Sequence, residues 1–157
     1  TLWSAGDESL CRNLRLHTAA PLILAREMAQ QDRPGHIVNL LDTRVTVYDR
    51  EHVSYHISKR MLLTLTQMLA LELAPQITVN AIAPGFFLTE QNRFLLKKND
   101  ENLTERGARI IAHTPMGRLG DPDDLVGPAL WLLSDSARFV HGSILTVDGR
   151  LSAYGGV

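Results

Sequence analysis

The chain has one cysteine, Cys11, in 157 residues, which excludes an intramolecular disulfide framework and leads us to expect a reducing compartment, the cytoplasm. No apolar run approaches the ~20 residues that a membrane-spanning helix needs, so no membrane partner is expected. An excess of one charge is also lacking: 16 basic and 17 acidic side chains leave a formal net charge of −1. So balanced a surface offers no field for a nucleic acid. None of the 11 glycines forms a Gly-x-Gly-x-x-Gly or Gly-x-x-x-Gly-x-Gly turn, the arrangement that brings backbone N–H groups to a pyrophosphate. The chain opens Thr1-Leu2-Trp3, with neither an initiator methionine nor a signal-peptide pattern. What is present is 45% apolar residues, enough for the core of one globular domain.

Residues 7–31 read as a helix, with Leu10, Leu14, Leu16, Ala20, Leu24 and Met28 as its apolar stripe. Pro21 lies inside this helix and predicts a kink or a boundary. Arg33-Pro34-Gly35 breaks the chain, and residues 36–41 form a nearly continuous apolar run, the pattern of a strand buried on both faces. A second helix is expected over about 53–74, ending before Pro75 and apolar enough to be covered on two sides. Residues 77–82 and 143–147 are further buried-type strands. Asp121-Pro122-Asp123-Asp124 is a helix-start signal, with Asp at the cap, Pro in the first turn and acids behind it; that helix should run to about Leu133, with Pro128 inside it. Strand alternating with helix gives an α/β class with a doubly wound parallel sheet, Rossmann-like and in a single domain. The connection over about 86–115 is long, polar in its middle, and expected to be a mobile substrate lid with a short helix over 104–111.

Chemistry concentrates at Tyr55-x-x-x-Lys59. With three Tyr and three Lys in the chain, this spacing arises by chance only about 0.06 times. On a helix the two side chains share a face. An ammonium there favours phenolate and is expected to lower the tyrosine pKa, making the phenol an acid or base at neutral pH. His52 and His56 lie four apart, but no third ligand is placed near them, and no metal site is expected.

From His17 to Gly149 the chain resembles the short-chain dehydrogenase/reductase family. The matching motifs, in family order, are His36-Ile37-Val38-Asn39, Tyr55-x-x-x-Lys59, Ile77-x-Val79-Asn80-Ala81-Ile82-Ala83-Pro84-Gly85, Pro115-Met116-Gly117-Arg118, Asp121-Pro122-Asp123-Asp124-Leu125 and Val147-Asp148-Gly149. The resemblance implies hydride transfer between a nicotinamide cofactor and a small substrate. Tyr55 would exchange the proton, and Lys59 would bind the nicotinamide ribose and tune Tyr55. Pro84, Gly85, Phe87 and Thr89 would line the nicotinamide. Helices 7–31 and 53–74 would pair subunits into a homodimer or tetramer.

Two positions depart from the family pattern. Thirteen residues before the tyrosine, where most members carry serine, stands Asp42. An ionised carboxylate repels an alkoxide forming on a carbonyl and suits a substrate that presents N–H donors. Asp42, Tyr55 and Lys59 together resemble pteridine reductases, which reduce a pterin C=N bond with NADPH. His17, at the position of the family's catalytic asparagine, resembles dihydromonapterin reductases. On this ground the leading expectation is a pterin-like substrate, with NADP(H) favoured over NAD(H). Residues 85–96, 110–118 and the tail 152–157 instead resemble mannonate/fructuronate oxidoreductases, which implies a sugar acid, with Glu90, Gln91, Asn92 and Arg93 available to its hydroxyls or carboxylate. Arg44 and Tyr48 follow the first strand, where they could stack on or pair with a flat substrate. The missing phosphate-binding turn belongs to a first strand that the family order places earlier. Three crossover units, roughly 90 residues, are therefore expected before Thr1, and without them neither stable folding nor full cofactor binding is expected. A rival of another class is a non-catalytic fragment that keeps only its oligomerisation surfaces.

Overall fold

A computed structural model of the chain describes residues 6–46, 52–99 and 102–153. The first helical segment comprises α1 (Asp7–Leu14), one π-helical turn (Arg15–Ala19) and α2 (Ala20–Ala29). Pro21 explains the interruption. It has no N–H for the His17 carbonyl and its ring would strike that oxygen, so the ladder slips wider just before it. The Ala20 N–H accordingly reaches back to the Arg15 carbonyl.

Strand β1 (Gly35–Leu40) leads through a 3₁₀ turn (Thr43–Thr46) toward α3 (Val53–Leu73), which stops ahead of Pro75. Strand β2 (Ile77–Pro84) is followed by two short helices, α4 (Arg93–Leu96) and α5 (Glu105–Ala112), the latter capped by Thr104 Oγ1 accepting from the Gly107 N–H. Within the expected lid region the described residues include these two helices and a Phe87–Gly120 bridge. Asp121 caps as expected, but the turn it opens is 3₁₀ (Pro122–Leu125), and the α-helix α6 (Val126–Leu132) begins behind it. Strand β3 (Ile144–Val147) closes a parallel sheet of order β1-β2-β3.

β2 is central, and its side chains alternate between two cores. Ile77, Val79, Ala81 and Ala83 pack with Ala25, Leu62, Leu69 and Ala70 of α2 and α3 on one face. Ile82 packs with Leu132 and Ala137 on the other. Helices on both faces of a parallel sheet give the doubly wound arrangement expected from the strand–helix alternation. Each fully buried Val, Ile or Leu here contributes roughly 1.5–3 kcal/mol. Asn39 ties β1 to α3 by donating to the buried Thr66 Oγ1 at 2.9 Å.

Burial departs from expectation at β1. β1 is the edge strand among the described residues, so its faces are only half-buried and Leu40 is exposed. α3 is covered by the sheet, where Leu62, Thr66 and Leu69 are buried, and by the first helical segment, against which Ser54 and Ser58 are buried. Ile57, Met61, Met68 and Leu71 face outward and leave a bare apolar stripe between them.

Candidate active site

The carboxyl ends of all three strands converge: Asp42 follows β1, Gly85 follows β2 and Asp148 follows β3. In open α/β sheets the ligand crevice lies outside this edge. The loops are fastened to one another by Thr43 Oγ1 donating to Asp148 Oδ2 at 2.9 Å. Asp148 also accepts from the backbone N–H groups of Arg150 and Ser152, each at 2.8 Å. Gly85 is required here because a Cβ would lie 2.8 Å from the Asp148 Cα.

Tyr55 and Lys59 lie one turn apart on α3, on the face turned toward β1. The Lys59 ammonium is buried, donates to the Leu40 carbonyl at 2.7 Å and sits 5.8 Å from the centroid of the Tyr55 ring. The Tyr55 hydroxyl donates to Asp42 Oδ2 at 2.9 Å. This contact reverses the expected tuning. Burial first, then the Asp42 charge and its hydrogen bond, push the Tyr55 phenol well above its ordinary value. Lys59, whose hydrogen bond goes to the Leu40 carbonyl, does not outweigh burial and Asp42.

Asp42 is not the bare carboxylate that the sequence suggests. Arg44 donates its backbone N–H to Asp42 Oδ1 at 2.7 Å and its Nε and Nη2 to Oδ1 and Oδ2, both at 3.3 Å. Burial opposes ionisation, but the Arg44 bonds and charge and the Tyr55 hydroxyl hold the Asp42 carboxyl below its ordinary value. The Arg44 guanidinium also lies over the Phe86 ring, 5.3 Å from its centroid. A paired carboxylate repels a nascent alkoxide far less than an isolated one, so the ground for preferring a pterin over a ketone is lost.

The π turn sets His17 against α3. His17 Nδ1 is 2.9 Å from Ser58 Oγ, and Ser58 Oγ donates its one proton to the Tyr55 carbonyl at 2.7 Å. The hydroxyl can therefore only accept from His17, which fixes an Nδ1–H tautomer and leaves the Nε2 lone pair open. Burial, then the nearby Lys59 charge, lower the His17 pKa and keep the ring neutral. Its ring meets that of Tyr55 edge-on at 5.6 Å.

The structure thus brings Asp42, Tyr55, Lys59 and His17 together. The expected cofactor-lining residues divide. Pro84 and Gly85 stand at the strand end, whereas the Phe87 side chain is buried against Gly120, where a Cβ would come within 2.6 Å of the ring. Thr89 is exposed, its N–H bonded to Asn92 Oδ1 at 2.9 Å. Asn92 spans its own loop, also donating to the Phe87 carbonyl at 2.7 Å, so its amide is spent on the fold. Glu90 and Gln91 are exposed. Tyr48, Asp100, Glu101 and residues 154–157 lie outside the described residues. Sequence reading missed the Arg44 pairing and Ser58; a cation two residues after an acid was the available signal for the first.

Two clefts flank Phe86 and Phe87. One, of about 190 Å³, is lined by Asp42, Thr43, Arg44, Gly85 and Asn92. The other, of about 210 Å³, is lined by Thr114, Met116, Arg118 and Asp148 among others.

Comparison with known proteins places this geometry. Residues 15–152 match the family model described as enoyl-(acyl carrier protein) reductase. A 2-dehydro-3-deoxy-D-gluconate 5-dehydrogenase from Pseudoalteromonas atlantica is 43% identical over 148 residues, 92% of this chain and 56% of that protein. The crystal structure of a protein described as a D-mannonate oxidoreductase from Haemophilus influenza, with bound NAD, superposes with a TM-score of 0.90 at 30% identity, over 100% of this chain and 58% of that one. One described as an NAD(P)-dependent gluconate 5-dehydrogenase from Beutenbergia cavernae, with bound NADP, gives 0.85 at 34%, over 97% and 61%. The chain spans about half the length of the curated relatives it matches. By the extent of these matches and the order of its motifs, the chain belongs to the short-chain dehydrogenase/reductase family.

Proposed function

We propose that the protein is a nicotinamide-dependent oxidoreductase interconverting a secondary alcohol and a ketone on a sugar acid. The observation that carries this reading is the charge-balanced Asp42–Arg44 pair beside the Tyr55 hydroxyl, which suits an oxygen substrate. The relatives named for gluconate and mannonate chemistry support the same substrate class, and nothing in them favours a pterin. NAD and NADP are both bound by such neighbours, so the proposal extends to a nicotinamide dinucleotide without choosing between them.

The residues present fit one end of that cofactor. The buried Lys59 ammonium uses one N–H on Leu40 and retains donors for ribose hydroxyls, and Pro84 and Gly85 give the adjoining strand end a close approach. The pyrophosphate turn has no counterpart among the described residues. A bound nicotinamide supplies or accepts the hydride at the substrate carbon. On reduction, Tyr55 turns its O–H from Asp42 to the substrate oxygen and gives up the proton; the O–H bond of tyrosine breaks and that of the product alcohol forms. The Lys59 ammonium offsets the phenolate charge left behind. Burial and Asp42 keep the Tyr55 phenol protonated at neutral pH and make its proton harder to release, so transfer to the substrate oxygen depends on the Lys59 ammonium to stabilise the phenolate. His17 and Ser58 hold the N-terminal turns of α3 against the π turn and so position Tyr55.

The test is NAD(P)H oxidation by the full-length protein with D-fructuronate, 5-keto-D-gluconate and a dihydropterin. Turnover of a keto acid that Tyr55→Phe abolishes supports the proposal. Turnover of the pterin alone, or none by a sample shown to bind the cofactor, refutes it.

A further inference from the structure

Arg44 is the cation lining the 190 Å³ cleft beside Asp42 and Tyr55. Among the contacts that hold it are the Asp42 carboxylate on one edge and the Phe86 ring under its plane. Its side chain is 25% exposed, so much of its rotamer freedom is gone before a ligand arrives. A planar, preorganised and partly desolvated guanidinium is the group best matched to a carboxylate. The cleft's neutral polar side chains are committed elsewhere, Thr43 to Asp148 and Asn92 to its own loop. Arg118, bound to Asp124 at 2.6 and 2.9 Å, lines the other cleft and not the one that Asp42 borders.

We propose that Arg44 is the residue that reads the substrate's carboxylate, selecting a sugar acid over a neutral sugar or polyol. This rests on the sugar-acid reading above and adds the side chain that enforces it. Asp42 does not cancel the role. It engages the Nε and Nη2 donors, whereas a substrate carboxylate meets the Nη1–Nη2 edge in exchange for the groups now beside it. Arg44 then bridges two carboxylates, Asp42 at the reacting oxygen and the substrate's own acid group. Substrate register follows from that bridge, because the distance from Arg44 to Tyr55 sets which hydroxyl reaches the phenol.

Calorimetric titration of the full-length protein, with saturating nicotinamide cofactor, tests the inference. The probes are D-gluconate and D-glucitol, which keeps the hydroxyls and lacks the acid. Arg44→Met should weaken gluconate binding by about 10–100-fold and glucitol binding far less, so that the preference for the acid falls, and Arg44→Lys, which keeps a cation beside Asp42, should recover part of the loss. Arg93→Met, on the lid and outside the cleft lining, should leave both unchanged. Equal gluconate binding by wild type and Arg44→Met, or a loss in Arg93→Met instead, overturns the role of Arg44 while leaving the sugar-acid reading in place. Glucitol binding as tightly as gluconate in the wild type overturns the carboxylate selection and leaves a polyol enzyme. No gluconate binding at all overturns both. Melting temperature and circular dichroism of each variant separate lost recognition from lost folding.

Discussion

Replacing Asp42 by serine should lower the Tyr55 pKa and make the phenol a stronger acid. The phenol donates to an ionised carboxylate at 2.9 Å. At an effective dielectric near 20, two unit charges 4 Å apart interact by about 4 kcal/mol, equivalent to about 3 pH units on the phenolate. Arg44 offsets part of this repulsion, and the partial exposure of the site screens more, leaving an expected fall of about 1–2 units. Burial, the larger cause of the shift, persists in the variant. The assay is an NMR titration of tyrosine labelled at Cζ, with the Tyr55 resonance identified through Tyr55→Phe. In wild type that signal should stay protonated through the ordinary tyrosine range, and in Asp42→Ser it should move toward it.

A second readout follows from linkage. The Asp42 carboxyl is held below its ordinary value, so its contribution to stability is fully present above the unfolded carboxylate pKa, about 3.9. That contribution is lost as pH falls through the folded pKa, and Asp42→Ser should lack this acid-dependent loss. A Tyr55 titration that shifts by less than about half a unit in the variant would refute the assignment of Asp42 as a cause.

His17 should show the 15N pattern of an Nδ1–H tautomer in a two-dimensional histidine spectrum, switching or averaging in Ser58→Ala; an Nε2–H pattern in wild type contradicts the hydroxyl assignment. His141 accepts from the Val79 N–H at 3.0 Å and donates to the Ala70 carbonyl, clipping β2 to α3. His141→Ala should cost roughly 2–4 kcal/mol in denaturant unfolding, through two backbone groups left unpaired, and an unchanged midpoint would show that water replaces the ring. Gly85→Ala would put its Cβ 2.8 Å from the Asp148 Cα; a loss of roughly 1–3 kcal/mol is expected, with a normal melting curve counting against the close approach.

Periodicity made the fold legible where burial has one cause. The run Ile77–Pro84 reads as a strand covered on both faces and is one, because helices flank it on both sides. The run over 36–41 reads the same way, yet among the described residues β1 lies at an edge of the sheet and is half-buried, since apolar content reports tendency and not neighbours. The break before Pro21 was legible as a kink, and its form, a π turn presenting His17 to Ser58, comes from the ladder slipping where proline has no N–H.

At the site, residue types were legible and their charges were not. Tyr55 and Lys59 share a face by helical spacing alone, but the sign of the tyrosine shift depends on which ion touches the phenol. Sequence spacing offers Lys59, four residues away. The fold supplies Asp42, thirteen residues away, at hydrogen-bond distance. The same contact alters the substrate argument. An acid in place of serine looks hostile to a ketone only while its counter-ion is unknown, and Arg44 lies two residues further along a 3₁₀ turn that brings its guanidinium back to the carboxylate. A pair that near in sequence was available to inspection, but its consequence was not: i, i+2 neighbours do not face each other on a helix and stand about 6–7 Å apart along a strand, and the turn after β1 folds them together. The proposed substrate class therefore rests on the Asp42–Arg44 pair acting as one charge-balanced unit, and neither residue alone argues for it.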